Sequence, residues 1–349
     1  MTKRFQIVWI DDSPERARKW EGGALDGVLR NTPVSVDLEV IAIAENFVTE
    51  LSQRSAIWVD NPPDLIMLDH NLSTVSARAF GMHGSALAHL LRIQLLETPI
   101  VCVSGQNLNS DDFGAEDISE YTYLFAVNDL DKVDKQEMLF ALAEDFKLLQ
   151  FPAKQSVRKP LLNTLKAPPI DQAALLSILP EEFEGEFIHG TSPHRMASWI
   201  VNVLMKRPGF LSDSLEAATL IGLTEDAFEK KIKERFDAAR YQGPFTTESR
   251  PLWWSSAITD VLYKLLPEHS ALPPQIVGRK FQGIEEADFS RCAATGNSLP
   301  APDVVAYTDA TKSARRAVYH SYTSALSDDA SSALGFATYL KIRNPRRGD

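Results

Sequence analysis

The stretch Asp64–Leu72, DLIMLDHNL, places Asp69 directly after a run of four apolar residues. Two similar stretches lie on either side of it in the chain: Ile7–Ser13 is IVWIDDS, and Pro99–Gln106 is PIVCVSGQ. Each stretch is a short apolar run that ends on polar side chains, which is typical of a strand buried on both faces of a parallel sheet. The three stretches therefore predict three strands, each with polar residues at its carboxyl end.

Two further strands and the helices between them extend this pattern. The predicted strands are Phe5–Ile10, Val34–Ile43, Asp64–Leu68, Pro99–Val103 and Tyr123–Val127, and the predicted helices are Glu45–Gln53, Ser85–Leu96 and Asp134–Leu149, with another helix start at Ser13-Pro14-Glu15. Strands that alternate with helices predict an α/β fold, in which a doubly wound, flavodoxin-like parallel sheet of five strands is covered on both faces. The polar strand ends predict a site at the carboxyl edge of that sheet.

Length and charge predict two domains of different character. The 349 residues exceed the roughly 100–200 residues of one typical domain. Residues 1–150 hold 12 Lys+Arg and 24 Asp+Glu, a net charge of −12, whereas residues 151–349 hold 24 and 23, a net charge of +1. The acidic first part should repel nucleic acid and attract a divalent cation. No apolar run is long enough to span a bilayer and only two cysteines are present, so we expect a cytoplasmic protein.

The predicted layout is a domain over residues 1–150, a linker over 151–169 that holds four prolines, and a mainly α-helical second domain over 170–349. Apolar spacing in the second domain predicts several helices, and two segments have strand character. The predicted helices are Ala173–Leu179, Ser192–Lys206, Ser212–Ile221, Glu225–Ala239, Trp253–Leu266 and Ala310–Ala325, and the predicted strands are Asp303–Tyr307 and Gly335–Ile342.

The polar strand ends of the first domain indicate a specific chemistry. Asp11 and Asp12 end the first strand, Asp69 the third and Ser104 the fourth, so all four should meet at one edge. Clustered carboxylates repel one another unless a cation lies among them, and oxygen ligands that leave room for water favour Mg²⁺. A carboxylate beside Mg²⁺ can attack a phosphoryl group and form an aspartyl phosphate.

Taken in order, IVWIDDS, DLIMLDHNL and PIVCVSGQ resemble the strand motifs of response-regulator receiver domains, over about residues 4–149. The resemblance implies that Asp11 and Asp12 bind Mg²⁺ together with Asp69, and that Asp69 accepts phosphate. It implies Ser104 as the hydroxyl that binds the phosphoryl group and Phe125 as the aromatic residue that moves with it. The implied partner is a histidine kinase or phosphotransfer protein, and a homodimer stays open.

Two features depart from this family. Asn128 occupies the position of a lysine that the family usually has, and it supplies no positive charge. Lys132 could replace that lysine only if its loop folds back. The segment His70–Gly84 is also longer than the usual loop after the phosphoacceptor. A degenerate receiver-like scaffold that is never phosphorylated therefore remains an alternative.

The second domain shows no catalytic motif, so we expect a protein that promotes only its own phosphorylation and acts through protein contacts. The stretch Ser214–Arg235 resembles a helix–turn–helix around Gly222, which leaves a phosphorylation-controlled DNA-binding regulator as an alternative. The helix that would enter the groove begins with Glu225 and Asp226, which does not favour DNA. His189 and His194 could bind a metal, but a capped helix start near Ser192 explains that segment equally well.

Overall fold

The structure is a computed structural model of the chain, and the division of its residues into compact units is not continuous in sequence. The first unit, here called unit 1, comprises Met1–Val157, Gly185–Val201 and Thr247–Ser249, and the second, unit 2, comprises Arg158–Glu184, Asn202–Thr246 and Arg250–Asp349. The residues described are 3–21, 34–43, 47–72, 83–105, 120–151, 156–183, 192–205, 209–291, 304–308 and 315–319.

Unit 1 contains a parallel sheet of five strands in the order β2-β1-β3-β4-β5. The strands are β1 Lys3–Asp11, β2 Val34–Ala42, β3 Leu65–Asp69, β4 Ile100–Ser104 and β5 Tyr123–Ala126. This strand order is that of flavodoxin-like folds. The α/β prediction is confirmed, because long apolar runs are needed only where a strand is buried on both faces.

Five helices of unit 1 follow in chain order. They are α1 Pro14–Glu21, α2 Phe47–Asp60, α3 Gly84–Gln94, α4 Val133–Asp145 and α5 Pro193–Trp199. One core lies where β1, β3 and β4 meet α2 and α3, and it includes Ile10, Leu68 and Leu91. Every residue of β3 and β4 is buried, so these two strands hold the carboxyl edge in place from below.

Unit 2 is mainly helical within its described residues. Its helices are Arg158–Thr164, Pro169–Ile178, Ser214–Leu220, Ser255–Leu265 and Pro274–Val277, and the run from Glu225 to Ala239 begins as Glu225–Ala227, widens at Phe228–Ile232 and tightens at Lys233–Ala239. Two short antiparallel pairs join Leu211–Ser212 to Trp253–Trp254 and Val304–Thr308 to Arg315–Tyr319.

The turn at Gly222 needs glycine for two reasons. Its φ is +80°, which side chains other than glycine rarely adopt, and a Cβ atom there would meet the Gln275 carbonyl oxygen at 2.1 Å. The predicted helix–turn–helix is therefore present as two helical segments around a tight glycine turn. Its second helix buries Phe228, Ile232 and Phe236 in the core of unit 2.

Two segments differ from the sequence prediction. Arg158–Thr164 is helical inside the predicted linker, because Leu161 and Leu162 are buried there in spite of the prolines around them. The predicted helix Ala310–Ala325 contains the strand Arg315–Tyr319 instead, whose partner is a strand earlier in the chain. The predicted strand Gly335–Ile342 lies outside the described residues. No helix in the described part of the chain is long and apolar enough to cross a membrane.

The helix Ser214–Leu220 begins with a reciprocal cap, which gives a first prediction. The Glu216 amide donates to Asp213 Oδ1 at 3.1 Å, and the Asp213 amide donates to Glu216 Oε2 at 2.9 Å. Asp213→Ala should lower the free energy of unfolding of unit 2 by about 1 kcal/mol, because it leaves a helix amide without its acceptor. Urea denaturation of the full chain measures this loss. Glu216→Gln keeps an acceptor for Asp213 and should cost less, so equal losses would contradict the capping role.

Candidate functional site

Three carboxylates lie together at the carboxyl edge of the sheet. Asp11 is the last residue of β1, Asp12 follows it, and Asp69 is the last residue of β3, the neighbouring parallel strand. One oxygen of each lies within 4.8 Å of the others. Asp11 and Asp69 are buried, with 0% and 3% of their surface exposed, and Asp12 is half-buried. The structure thus brings together the three residues that the sequence assigns to a metal site.

Backbone and indole groups hold the Asp11 carboxylate from both sides. The Ser13 amide donates to its Oδ1 at 2.6 Å, and the Trp9 indole nitrogen donates to its Oδ2 at 3.0 Å. Hydrogen bonds from N–H groups favour the ionised form of a buried carboxylate. Each oxygen accepts one of these bonds and keeps a second lone pair, so Asp11 can still bind a cation.

Asp69 is fixed by the backbone around it. The Asn71 amide donates to its Oδ1 at 3.3 Å, and α3 begins directly beside it, with the Gly84 amide donating to the His70 carbonyl at 3.0 Å. A Cβ atom on Gly84 would meet the Asp69 carbonyl oxygen at 2.4 Å, so glycine permits this approach. Burial, together with the Asp69 charge, raises the pKa of the Cys102 thiol, which marks Cys102 as an inert core residue.

Ser104 and Phe125 lie on the two strands beyond Asp69. Ser104 is the last residue of β4 and is 1% exposed, and β4 runs beside β3 with Asp69 opposite Val103. Phe125 is buried in β5, and its ring centroid lies 4.6 Å from that of Tyr123. The hydroxyl and the aromatic ring therefore sit on adjacent strands of the same edge region.

Asn128 and Lys132 lie in the turn that follows β5. Asn128 is exposed, in the 3₁₀ turn Val127–Asp129. The Lys132 ammonium group donates to Asp129 Oδ1 at 2.6 Å, and this hydrogen bond raises the pKa of Lys132. The lysine that could have replaced the missing one thus has Asp129 as its carboxylate partner.

The donor set fits a divalent cation with oxygen ligands. Unit charges 4.8 Å apart repel by about 3 kcal/mol for each pair at an effective dielectric constant of about 20. A cation among the three carboxylates removes this repulsion, and three carboxylate oxygens leave room for water or a phosphoryl oxygen in the remaining positions. Oxygen-only coordination favours Mg²⁺, Mn²⁺ or Ca²⁺ over metals that prefer nitrogen or sulfur.

The sequence analysis missed two contributors to unit 1. Trp9 lies within the quoted stretch IVWIDDS, and its spacing of two residues from Asp11 places both side chains on one side of the strand. The spacing was therefore a usable signal. His194 is buried in α5 and accepts a contact from Thr122, with Nδ1 3.3 Å from the threonine hydroxyl oxygen. Ser192 stands at the start of α5 without a side-chain cap bond, and His189 lies outside the described residues.

No model of a protein family matches the chain, and no curated protein matches it. Solved structures that are similar include a mutant receiver domain of the histidine kinase CKI1 from Arabidopsis thaliana, with 17% identity over 39% of this chain and 90% of that one and a TM-score of 0.28. The Mn²⁺-bound form of the response regulator Rcp1 has 20% identity over 43% and 99%, with a TM-score of 0.28.

A response regulator from Burkholderia pseudomallei, with a phosphorylated aspartic acid, a calcium ion and citrate, has 14% identity over 50% of this chain and 92% of that one. Its TM-score is 0.24. The function of this chain therefore has to be argued from its own residues.

Proposed function

We propose that unit 1 is a phosphorylatable receiver domain of the two-component type, which binds Mg²⁺ at Asp11, Asp12 and Asp69 and accepts a phosphoryl group on Asp69. The observation that carries this proposal is the group of three carboxylates within 4.8 Å at the carboxyl edge of a flavodoxin-like sheet. Such a group stores mutual repulsion unless a cation is bound, so its presence at a ligand-binding edge favours a working site over a scaffold.

The reaction follows from the placement of the side chains. A carboxylate oxygen of Asp69 attacks the phosphorus atom of the donor, a P–O bond to Asp69 forms, and the bond from phosphorus to the donor's leaving group breaks. The leaving group departs with the bonding electron pair. When bound, Mg²⁺ neutralises charge on the transferring oxygens. The Ser104 hydroxyl, at the end of the adjacent strand, can donate a hydrogen bond to a phosphoryl oxygen.

Asn128 sets the expected limits of this reaction. The amide can donate hydrogen bonds to a phosphoryl oxygen, but it adds no positive charge to a site that already holds three carboxylates. The charge on the transferred group then depends more heavily on the cation. We therefore expect phosphorylation to require Mg²⁺ strictly and to be slow with small donors.

The experiment is phosphorylation of the full chain with a small acyl phosphate, followed by intact-mass measurement at neutral pH. With Mg²⁺ present the protein should gain one phosphoryl adduct, and with the metal chelated it should gain none. Histidine kinases and phosphotransfer proteins form a second set of donors. If no donor of either kind yields an adduct with Mg²⁺, the receiver is a scaffold and the proposal is wrong.

For unit 2 we propose an output role through protein contacts, in a cytoplasmic protein without an external substrate. The three lysines that a DNA-binding helix would turn to phosphates have carboxylate partners instead: Lys230 pairs with Asp226, Lys231 with Asp288 and Lys233 with Glu229, each at 2.6 Å. Phosphate contacts would have to displace these partners, which does not favour DNA binding.

A further inference from the structure

We propose that Trp9 is a positioning residue for the cation site, which orients the Asp11 carboxylate through its indole N–H. The inference deepens the proposed function and rests on it, because it assumes that the three carboxylates bind a divalent cation. Trp9 does not contact the cation itself in this proposal. Its role is to fix the direction in which one ligand presents its free lone pairs.

The geometry around Asp11 supports this role. Trp9 and Asp11 are both 0% exposed, and the Trp9 Nε1 atom lies 3.0 Å from Asp11 Oδ2. The Ser13 amide holds the other oxygen, Oδ1, at 2.6 Å. Two donors on opposite oxygens of one carboxylate fix its plane. The lone pairs that remain must then point in directions set by the protein and not by the cation.

The Trp9 indole is itself held in place. Its ring packs edge-on against Trp20, with centroids 5.7 Å apart and an angle of 65° between the rings. Trp20 is anchored in turn by a longer contact of 3.4 Å from its indole nitrogen to the Leu130 carbonyl. A donor held this firmly cannot follow the carboxylate if it rotates, so the hydrogen bond constrains Asp11 more than a mobile donor would.

A backbone amide alone would satisfy only half of this carboxylate. Buried metal ligands are commonly held by a second layer of hydrogen bonds, and removal of such a partner typically weakens metal binding by about 10- to 100-fold. Asp12 is half-buried, and no hydrogen bond of this kind is needed to explain its position. The Trp9 donor thus distinguishes Asp11 as the preset ligand of the three.

The test compares Mn²⁺ binding by the full-length protein and two matched variants, with free Mn²⁺ measured by electron paramagnetic resonance. Trp9→Phe keeps an aromatic ring in the core but loses the indole donor, and it should raise the Kd for Mn²⁺ about tenfold or more. Trp20→Phe makes the same chemical change in the other ring of the pair, and it should leave the Kd within about twofold of wild type.

Each outcome bears on one claim. If wild type binds Mn²⁺ and Trp9→Phe binds it equally well, the positioning role is wrong while the proposed function stands. If both variants weaken binding equally, Trp9 acts through packing alone and the positioning role is also wrong. If wild type binds neither Mn²⁺ nor Mg²⁺, the proposed function fails and the role of Trp9 fails with it.

A second measurement on wild type keeps the inference testable if Trp9→Phe does not fold. Saturation with Mg²⁺ draws electron density from the Asp11 carboxylate, so the indole ¹H–¹⁵N resonance of Trp9 should shift on titration. The Trp20 resonance, whose partner is a backbone carbonyl, should shift much less. Equal shifts of the two resonances, or no shift of Trp9, would overturn the inference.

Discussion

Asp69→Asn is expected to abolish the phosphoryl adduct while unit 1 stays folded. Asparagine has nearly the same shape and keeps an oxygen that can accept the Asn71 amide bond. It lacks the negative charge that makes the carboxylate a nucleophile and a cation ligand. The adduct seen by intact mass with Mg²⁺ and an acyl phosphate should therefore disappear completely, and the affinity for Mn²⁺ should fall.

The matched control is Asp64→Asn, at the other end of the same strand. Asp64 pairs with Lys147, with 2.9 Å between its Oδ1 and the lysine nitrogen, and it precedes β3 whereas Asp69 ends it. This variant should be phosphorylated like wild type. An adduct that survives Asp69→Asn would place the phosphoryl group on another residue, and the exposed part of Asp12 would be the first position to examine.

Unit 1 is expected to lose stability on acidification because of His194. Burial, and to a smaller extent the charge of Arg92, lowers the pKa of His194 to about 3, while the Leu95 backbone opposes the shift. The ring stacks edge-on against Phe146 with centroids 4.9 Å apart. Arg195, on the same helix, and Glu120, which binds Arg92 at 2.8 Å, are the other charged groups of this region.

The direction follows from proton uptake. The unfolded state binds a proton near the ordinary pKa of about 6.5, and the folded state does not until about pH 3, so the unfolded state holds more protons between these values. The stabilising contribution is complete above about pH 6.5 and is lost as the pH falls. At pH 5 the loss should be about 2 kcal/mol relative to pH 7.5.

Urea denaturation at both pH values measures this loss, and two variants isolate it. His194→Gln removes the titrating group but keeps a polar partner for Thr122, so its stability should change less between pH 7.5 and pH 5, by about 2 kcal/mol. His89→Gln removes an exposed histidine that contacts Glu120 at 3.2 Å, and it should behave like wild type. Equal pH dependence of wild type and His194→Gln would refute the role of His194.

The sequence predicted the parallel sheet well because buried strands leave a local mark. The run Leu65–Asp69 is apolar at every position until its last, and its observed bounds lie within one residue of those predicted. The same mark located Asp11, Asp69 and Ser104 at the edge, since parallel strands share a direction. Whether Asp69 accepts phosphate is not a matter of strand pattern, and it stays a prediction.

The features that the sequence did not predict depend on partners far along the chain. Whether Arg315–Tyr319 is a helix or a strand is decided by its pairing with Val304–Thr308, not by its own apolar spacing. Similarly, α5 has ordinary helical spacing, and nothing in its residues indicates that it belongs with the sheet of unit 1. Its place depends on a cleft formed by residues about 70 positions earlier, such as Thr122.

The late position of α5 in the chain has a consequence for synthesis on the ribosome. All five strands and α4 have been translated by residue 149, but α5 ends at residue 199, which is 50 residues later. At roughly 5–20 residues per second the ribosome needs about 3 to 10 s for that interval. During this time Phe146 lacks the His194 ring that covers it in the finished protein. The nascent chain therefore exposes an apolar patch for seconds, long enough for a ribosome-associated chaperone to bind there.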